Sequence, residues 1–235
     1  MTVLDIEGVF NARDVGGMPA AGGRIREGVL LRSGSLVAAT AVGTAELERR
    51  VGHIIDLRDG QEVIEAPSAV TSIATTNLPL FLGSVASFFD EDLGLEQMYR
   101  HLLDESGERL ADAVRVIARE ERTLVHCTVG KDRTGVTVAL ALSAVGANRD
   151  AVIADYALTA SLLPPERNRR ITAFLRAQHP HAENAVALAT LSPAEVMQGL
   201  LEELDSRWGS AAEYLLAHGM TEDELVTLRS TLVEG

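Results

Sequence analysis

Segments rich in apolar and β-branched residues alternate with amphipathic stretches along the first two thirds of the chain. Four of these segments predict β-strands, because short runs of this kind bounded by glycine or charged residues are typical of strands. They lie at residues 28–34, 53–59, 74–80 and 122–127. The segments at 53–59 and 74–80 are expected to be buried.

Helical periodicity occupies the stretches between and after these strands. Helices are predicted at residues 44–51, at 93–120 as two helices split near Gly107, at 134–146, and at 150–162. Gly146 is expected to end the helix at 134–146, since glycine readily adopts the left-handed conformation that closes a helix. Pro164 and Pro165 end the helix that precedes them.

The last third of the chain is predicted to be helical and carries two capping signals. In SPAE, residues 192–195, Ser192 is expected as the N-cap, Pro193 as the first helical residue and Glu195 as the partner in a capping box. In TEDE, residues 221–224, Thr221 and Glu224 repeat the pattern.

This order of elements predicts the fold class. Strands interleaved with helices, then helices alone, indicate a three-layer α/β fold with a central sheet flanked by helices and a C-terminal helical extension. We expect a single domain over residues 1–235, with a core of about 1–160 and the extension at about 161–235.

The charge balance narrows the set of partners. The formal net charge is -13, and a field of that sign disfavours nucleic acid and anionic membranes. Residues 1–10 lack the basic start and apolar block of a secretory signal. The longest apolar stretch, 136–147, is too short to span a bilayer. We therefore expect a cytoplasmic protein without nucleic-acid or integral membrane association, while secretion without a signal peptide stays open.

The stretch HCTVGKDRTG, residues 126–135, contains the only cysteine of the chain, Cys127. One cysteine cannot form an intrachain disulfide, which excludes a disulfide scaffold and draws attention to a reactive thiol. The stretch joins a predicted strand to a predicted helix, so several backbone N–H groups and the positive end of the helix dipole should point at one place. Such a loop suits a tetrahedral oxyanion.

The side chains of this loop suit phosphate chemistry. Gly130 allows a tight turn close to a ligand, and Arg133 offers a planar fork for two phosphate oxygens. The N–H groups and Arg133 should stabilise a Cys127 thiolate placed for in-line attack on phosphorus. A buried structural cysteine would leave Lys131, Asp132 and Arg133 unexplained beside an apolar helix. A Walker loop would need an earlier glycine and a hydroxyl after the lysine.

The pattern Cys-x5-Arg, preceded by His126 and followed by Thr134, resembles the signature of the cysteine-dependent protein tyrosine phosphatases. The GKDRTG version is similar to that of the atypical bacterial members, which act on phosphotyrosine and also on phosphoinositides. Nearly the whole chain takes part in this resemblance. Five further segments match in order: NARDVGG (11–17), LRSGSL (31–36), IIDLRD (54–59), DYALT (155–159) and WGSAAEYL (208–215).

The resemblance implies a fold, a reaction and a set of site residues. The fold is a central sheet flanked by helices, with a helical lid in some members. The reaction forms a phosphocysteine on Cys127, hydrolyses it with water and releases inorganic phosphate, with no metal and no organic cofactor. Phosphotyrosine proteins are the implied substrates, and phosphoserine, phosphothreonine and phosphoinositides are further candidates. Phosphate is expected to lie on Thr128, Val129, Gly130, Lys131, Asp132 and Arg133.

The general acid has three candidates. The resemblance assigns this role to the aspartate next to the loop arginine, Asp132, which already lies at the phosphate, and a leaving oxygen needs a donor within hydrogen-bond reach. Most tyrosine phosphatases use an aspartate on a separate loop before the cysteine, and Asp90 and Asp92 in FFDEDLG fit that alternative. Their structural alternative is a solvated turn or a helix N-cap. We favour Asp132.

Three neighbours of these residues have supporting roles by the same resemblance. Lys131 would add charge beside the phosphate and accept a second phosphate of a polyphosphorylated headgroup, the alternative being solvation at the loop rim. His126 is expected to orient loop carbonyls behind Cys127 rather than to act as an acid or base. Thr134 is expected to hydrogen-bond to Cys127 or to assist its release as a leaving group.

Charged residues in the other similar segments are expected to hold the architecture, mainly by ion pairs, rather than to touch substrate. They are Arg13, Asp14, Arg32, Asp56 and Arg58. The basic cluster ERNRR, residues 166–170, fits either the entrance of the site or a solvated helix face. His179 and His181 lack further ligands at matching spacing, so no metal site is expected.

Three other functions stay open at this point. A sulfurtransferase or an arsenate reductase also uses a loop cysteine at a helix N-terminus, but a reductase usually needs resolving cysteines, and Arg133 followed by Thr134 fits phosphate chemistry better. A module that binds phosphate without turnover would not need Cys127 together with Asp132 and Arg133. An interaction role for the helical tail is compatible with catalysis.

Overall fold

The four predicted strands form the parallel part of a central sheet in the computed structural model, which describes residues 1–80, 93–179, 181 and 184–235. The strands of the described residues are β1 (Thr2–Val3), β2 (Arg13–Asp14), β3 (Pro19–Ala20), β4 (Gly23–Ile25), β5 (Leu30–Ser33), β6 (His53–Asp56), β7 (Ala74–Asn77), β8 (Thr123–His126) and β9 (Val233–Glu234).

Helices make up most of the remaining described chain. They are α1 (Ala41–Arg50), α2 (Gly60–Glu65), α3 (Leu95–Glu105), α4 (Gly107–Arg119), α5 (Asp132–Ala144), α6 (Arg149–Leu162), α7 (Pro165–Gln178), α8 (Ala185–Thr190), α9 (Ala194–Trp208), α10 (Ala211–Ala217) and α11 (Glu222–Leu232). In the described part of the chain, none of the helices is long and apolar enough to cross a membrane.

The central sheet has the strand order β1-β2-β5-β8-β6-β7. The strands β5, β8, β6 and β7 are parallel, and β2 and β1 extend the β5 edge in antiparallel orientation. A second sheet, β3-β4-β9, pairs the C-terminal strand with β4. The ends of the chain are therefore tied to the body of the protein.

Both faces of the central sheet are covered over its inner strands β5, β8 and β6. The prediction of a buried strand at 74–80 is wrong for β7, which is largely exposed because it lies at the edge of the sheet. Along β8, Val125 faces the larger core cluster and Leu124 faces the smaller one. The larger cluster contains residues from α3, α4, α5, α9, α10 and α11, whereas the smaller one contains Leu47 of α1. Since successive strand side chains point to opposite faces, this alternation gives the predicted three-layer α/β fold, and that prediction is confirmed.

The carboxyl ends of the parallel strands meet at one edge of the sheet. β8 ends at His126, between the ends of β5 at Ser33 and β6 at Asp56, with which His126 is in register. The chain then enters a short loop and begins α5, whose residues from Thr134 to Leu142 are all buried. Open α/β folds bind ligands at this edge, so the cysteine stretch lies where a site is expected.

The two capping predictions have opposite outcomes. Thr221 caps α11 with a complete capping box to Glu224, as predicted. The prediction for Ser192 is wrong: Pro193 is the N-cap of α9, and no side chain caps it. The Ser192 hydroxyl instead accepts from the Ala160 backbone N–H and donates to the Ala157 carbonyl. A tertiary contact with α6 therefore replaces the local cap.

Candidate active site

The loop between β8 and α5 directs a backbone donor at the Cys127 sulfur. The Gly130 N–H donates to Sγ over 3.2 Å, and the Cys127 side chain is buried, with 3% of its surface exposed. α5 begins at Asp132, so its unpaired first N–H groups and its positive dipole end lie beside this loop. The arrangement has the geometry that the sequence predicts for an anion site.

The loop carbonyls are held on the side away from the sulfur. Asn11 Nδ2 donates to the carbonyls of Val129 and Gly130, over 3.0 Å in each case. Arg32 adds a 2.8 Å hydrogen bond to the Gly130 carbonyl. Because C=O and N–H point in opposite directions across a planar trans peptide, pulling these carbonyls outward turns the N–H groups of Gly130 and Lys131 inward.

Gly130 is required at its position for two reasons. Its φ of +72° lies in the left-handed region that other residues rarely adopt. A Cβ at this position would lie 2.1 Å from the Ser33 carbonyl oxygen. The close packing of the loop on the end of β5 therefore depends on the missing side chain.

A buried ionic network supports the loop from behind. Asp155 on α6 pairs with Arg13 at 2.6 Å and with Arg32 at 2.5 Å, and all three side chains are almost fully buried. Burial and the charge of Arg32 lower the pKa of Arg13 to about 10. Burial opposes ionisation of Asp155, but the two arginines outweigh it and lower the pKa of Asp155. Asp155, in the segment DYALT, thus positions Arg32, which donates to the Gly130 carbonyl.

The other charged residues outside the loop are held either by ion pairs or by contacts with the backbone. Asp56 and Arg58 form a buried pair at 2.7 Å. Asp14 differs from the expectation of an ion pair: its two carboxylate oxygens accept the backbone N–H groups of Gly16 and Gly28.

Arg133 lies in the site and is paired with a residue that the sequence analysis missed. Its two terminal nitrogens donate to the Glu62 carboxylate over 2.5 and 2.9 Å. Thr128 also donates its hydroxyl to Glu62. Burial opposes ionisation of Glu62, but the hydrogen bonds and charge of Arg133 prevail and lower its pKa to about 2.

Glu62 reaches the site because only three residues separate the end of β6 from the start of α2. Asp59 caps this helix, and Glu62 closes the capping box. The signal in the sequence is the acidic pair in DGQE, residues 59–62, which begins at the last residue of a predicted strand, since Asp-x-x-Glu marks a helix start. Any side chain in the first turn of such a helix lies at the carboxyl edge of the sheet.

Asp132 and Lys131 sit side by side but face different partners. Asp132 Oδ1 accepts a 2.8 Å hydrogen bond from the Tyr99 hydroxyl and lies 3.3 Å from Lys131 Nζ. Lys131 is buried, and its ammonium donates to the carbonyls of Leu188 and Leu191 at the end of α8. The structure therefore places the lysine against α8 and the aspartate in the cavity wall.

His126 and Thr134 lie behind the loop. His126 Nδ1 is 3.3 Å from the Cys127 carbonyl oxygen, and Nε2 is 3.7 Å from Asp56 Oδ2. Burial lowers the pKa of His126, against the opposing charge of Asp56. The Thr134 hydroxyl is fully buried and has no hydrogen-bond partner among the described residues, so the hydrogen bond to Cys127 expected from the resemblance is not formed in this structure.

A cavity of about 350 Å³ opens above the loop. Cys127, Thr128, Val129, Asp132, Arg133 and Glu62 form its polar end. The helices α3, α7 and α8 contribute an apolar wall, made of Met98, Ile171, Phe174, Leu175, Leu188 and Ala189. Arg167 also lines the cavity and donates to the Ala189 carbonyl over 3.0 Å. The C-terminal extension therefore covers the cysteine loop.

Asp90 and Asp92, the alternative acids, lie outside the described residues. Of the basic cluster, Arg167 lines the cavity, whereas Arg169 pairs with Glu166 at the surface. Within residues 1–80, 93–179, 181 and 184–235, no three His, Cys, Asp or Glu side chains are grouped so as to hold a metal ion.

Comparison with known proteins gives three similarities beyond the site itself. The model of the tyrosine phosphatase family matches residues 4–234. A Mycobacterium tuberculosis protein, triple specificity protein phosphatase PtpB, is 31% identical over 261 residues, which cover 95% of this chain and 90% of that protein. A Cupriavidus necator protein, named as a candidate tyrosine-protein phosphatase, is 30% identical and covers 90% of this chain and 82% of its own length.

Among solved structures, TpbA of P. aeruginosa covers 69% of this chain and 86% of its own length. Its sequence identity is 18% and its TM-score is 0.34. A similarity of this size supports no conclusion about the site.

Proposed function

The chain belongs to the tyrosine phosphatase family, and from this premise we propose that it hydrolyses phosphotyrosine through a phosphocysteine formed on Cys127. The observation that carries this proposal is the position of Cys127. Its sulfur lies at the polar end of a cavity, with the Gly130 N–H directed at it and Arg133 in the same wall.

The first step is substitution at phosphorus. The Cys127 thiolate forms an S–P bond while the ester P–O bond breaks. The loop N–H groups and Arg133 stabilise the charge on the transferring phosphoryl oxygens. Asp132 gives its proton to the departing oxygen, which leaves as a neutral phenol. Arg133 must share its terminal nitrogens between Glu62 and the phosphate, because Glu62 engages both of them in the structure.

The second step is hydrolysis of the phosphocysteine. The Asp132 carboxylate takes a proton from water as the water oxygen attacks phosphorus. The S–P bond breaks, inorganic phosphate leaves and the Cys127 thiolate is restored. Asp132 ends protonated, ready for the next substrate. These residues and water account for every proton and every bond in the two steps.

The shape of the cavity supports a preference for aryl phosphates. Cys127 is 3% exposed, so a phosphate on a short side chain would not reach it as easily as one on a tyrosine ring. The apolar wall, which includes Phe174 and Leu188, suits an aromatic ring. The name of the M. tuberculosis relative, a triple specificity phosphatase, motivates tests of phosphoserine, phosphothreonine and phosphoinositides.

A second phosphate would meet different cations in this structure. Lys131 is engaged by the carbonyls of Leu188 and Leu191 and would have to leave them to reach a ligand. Arg167 already lines the cavity. We therefore propose Arg167, together with a released Lys131, for the second phosphate of a polyphosphorylated headgroup.

The first test is hydrolysis of para-nitrophenyl phosphate by the wild type and Cys127→Ser, with a chelator present. Chelator-resistant turnover that disappears in Cys127→Ser, with an unchanged thermal unfolding midpoint, is the expected result. A wild type without turnover that still binds vanadate would contradict the enzyme proposal and indicate a binding module. Phosphotyrosine, phosphoserine and phosphothreonine peptides and short-chain phosphoinositides, compared by kcat/KM, then rank the substrate classes.

The second test concerns the general acid. Asp132→Asn should lose about 10²-fold or more in kcat with a phenolic leaving group and much less with para-nitrophenol, which departs without a proton. Equal losses for both leaving groups would indicate a positional role for Asp132 and would shift the assignment to Asp90 or Asp92.

A further inference from the structure

Two buried tyrosines form a hydroxyl chain that ends on Asp132. The Tyr99 hydroxyl lies 2.8 Å from Asp132 Oδ1, and the Tyr156 hydroxyl lies 2.7 Å from the Tyr99 hydroxyl. Both side chains are 1% exposed, and their rings meet edge to face at a centroid distance of 5.9 Å. The reaction described so far gives these hydroxyls no task.

The hydrogen bonds of this hydroxyl chain run in one direction, from Tyr156 through Tyr99 to Asp132. A phenolic hydroxyl has a single proton, so Tyr99, which donates to Asp132, must accept from Tyr156. Burial raises the pKa of both tyrosines, and the charge of Asp132 raises it further. Both hydroxyls therefore stay protonated and remain donors throughout the pH range in which an enzyme of this kind works.

The direction of the hydroxyl chain gives the two carboxylate oxygens of Asp132 different hydrogen-bonding environments. Oδ1 accepts the Tyr99 hydroxyl and also lies 3.3 Å from the Lys131 ammonium. No hydrogen bond from any described residue reaches Oδ2. An oxygen that already faces two donors is a poor place for a proton, because a protonated oxygen would oppose them. Oδ2 is the oxygen left to carry the acid proton.

The Tyr156 end of the hydroxyl chain is held in place by contacts with the rest of the fold. Tyr156 follows Asp155, the residue that pairs with Arg13 and Arg32 behind the loop. Its ring packs so closely on α5 that a Cβ at Gly135 would lie 3.1 Å from it. One turn of α6 thus supports the phosphate loop through Asp155 and the first residue of α5 through Tyr156 and Tyr99.

We propose that Tyr99 and Tyr156 are positioning residues of the phosphatase reaction: they hold Asp132 through Oδ1 and leave Oδ2 to deliver the proton. As the P–O bond breaks, the proton moves from Oδ2 to the leaving oxygen, and Oδ1 keeps its hydrogen bond from Tyr99. The inference rests on the proposed function, since it concerns the residue assigned there as the general acid.

The test compares the three single Tyr-to-Phe variants of the chain, which has three tyrosines. Tyr214 is the matched control, because it is also fully buried and donates one hydrogen bond, to the Leu103 carbonyl at 2.8 Å, in a different part of the core. kcat is measured with phenyl phosphate and with para-nitrophenyl phosphate, and each variant is checked by thermal unfolding.

For Tyr99→Phe, kcat with phenyl phosphate should fall about 10-fold, in line with the loss of a hydrogen bond to a charged group, whereas para-nitrophenyl phosphate changes little. Tyr156→Phe should show the same pattern at about 3-fold, because it acts through Tyr99. Tyr214→Phe should leave kcat unchanged with both phenyl phosphate and para-nitrophenyl phosphate. In an Asp132→Asn background the effect of Tyr99→Phe should disappear, since coupled residues are not additive.

Two outcomes would contradict the inference, and each has a distinct meaning. If Tyr99→Phe slows both substrates equally, or not at all, while Asp132→Asn slows phenyl phosphate selectively, the positioning role is wrong and the acid assignment stands. If Asp132→Asn shows no leaving-group dependence, the acid assignment itself is wrong and the inference fails with it. Turnover that depends on Cys127 in either case leaves the phosphatase proposal intact.

Discussion

The cysteine loop is held in opposite ways on its two sides. Behind it, the buried arginines Arg13 and Arg32 share the buried carboxylate of Asp155. Above it, α7 has a single buried residue, Leu175, and leaves Phe174 55% exposed. One side is a buried ionic network in which two arginines depend on one shared carboxylate, and the other is a cover with few buried residues.

This difference separates a fixed part of the site from a part that is free to open. Removing one partner of a buried ion pair is costly because the remaining charge stays desolvated. Few buried apolar contacts, in contrast, give a segment a low free energy of local opening. We expect the anion site to be preformed and substrate access to depend on α7 and α8.

The strongest test of the fixed side is Asp155→Asn. It leaves two buried arginines without a carboxylate, so the free energy of unfolding should fall by about 3–5 kcal/mol. Urea unfolding measures the loss. The matched control is Asp205→Asn, which breaks an exposed pair with Arg149 and should cost less than about 1 kcal/mol. Equal losses in the two variants would mean that the network behind the loop is not the main support.

Gly130→Ala tests whether the loop depends on its close packing against β5. The left-handed backbone alone should cost about 1–3 kcal/mol. The displaced loop N–H groups should lower kcat by about 10²-fold, since an error of about 1 Å in position can cost that much.

The control for this substitution is Gly199→Ala in α9, where an added Cβ meets nothing within 4 Å. That variant should be stabilised by up to about 1 kcal/mol and should keep its activity. A Gly130→Ala enzyme with normal kcat would show that the loop geometry is more tolerant than the 2.1 Å contact with Ser33 implies.

On the cover side, Lys131→Met should act locally. The variant removes the donor that holds the Leu188 and Leu191 carbonyls, and an unpaired buried acceptor costs about 1–3 kcal/mol. Hydrogen exchange should become faster in α7 and α8 and stay unchanged in β8. Arg176→Met, an exposed residue of α7, is the control. Faster exchange throughout the sheet would mean that the lysine supports the whole fold.

The smallest expected effect is the pH dependence of the Glu62–Arg133 pair. The folded pKa of Glu62, about 2, lies below its usual 4.5. Its contribution is therefore fully present above pH 4.5 and is lost as the pH falls toward 2. Since Glu62 is partly exposed, we expect less than about 1 kcal/mol.

Urea unfolding at pH 5 and at pH 3 measures this effect. Glu62→Gln should show a smaller loss of stability between the two pH values than the wild type. Glu65→Gln, an exposed residue of the same helix, should behave like the wild type. If Glu62→Gln loses as much stability on acidification as the wild type, the pair contributes nothing measurable to the fold.

Sequence reasoning found the loop because its chemistry is contiguous. Ten consecutive residues contain the thiol, the glycine and the arginine, and the flanking apolar segments identify the strand and the helix. It missed Glu62 and Tyr99, which reach the site from α2 and α3. Their side chains join the loop only through the packing of elements that are 71 and 33 residues distant from Arg133 and Asp132.

Lys131 shows a second limit of the same kind. Its neighbours in the chain suggest a position at the loop rim or on a phosphate, and the structure instead buries its ammonium against α8. Its partners are backbone carbonyls, which every residue has, so the residue types in the sequence do not identify them. Ser192 is a parallel case, since its hydroxyl serves α6 instead of capping α9.

The sequence by itself determined the three-layer fold, the position of the anion loop and the family of the enzyme. These follow from local periodicity and from residues adjacent in the chain, where the physical causes act over a few bonds. Only the tertiary structure decided which side chains surround Arg133 and Asp132, where Lys131 points and what covers the thiol. Those contacts join residues far apart in the chain, and the free energy that selects them comes from packing the whole domain at once.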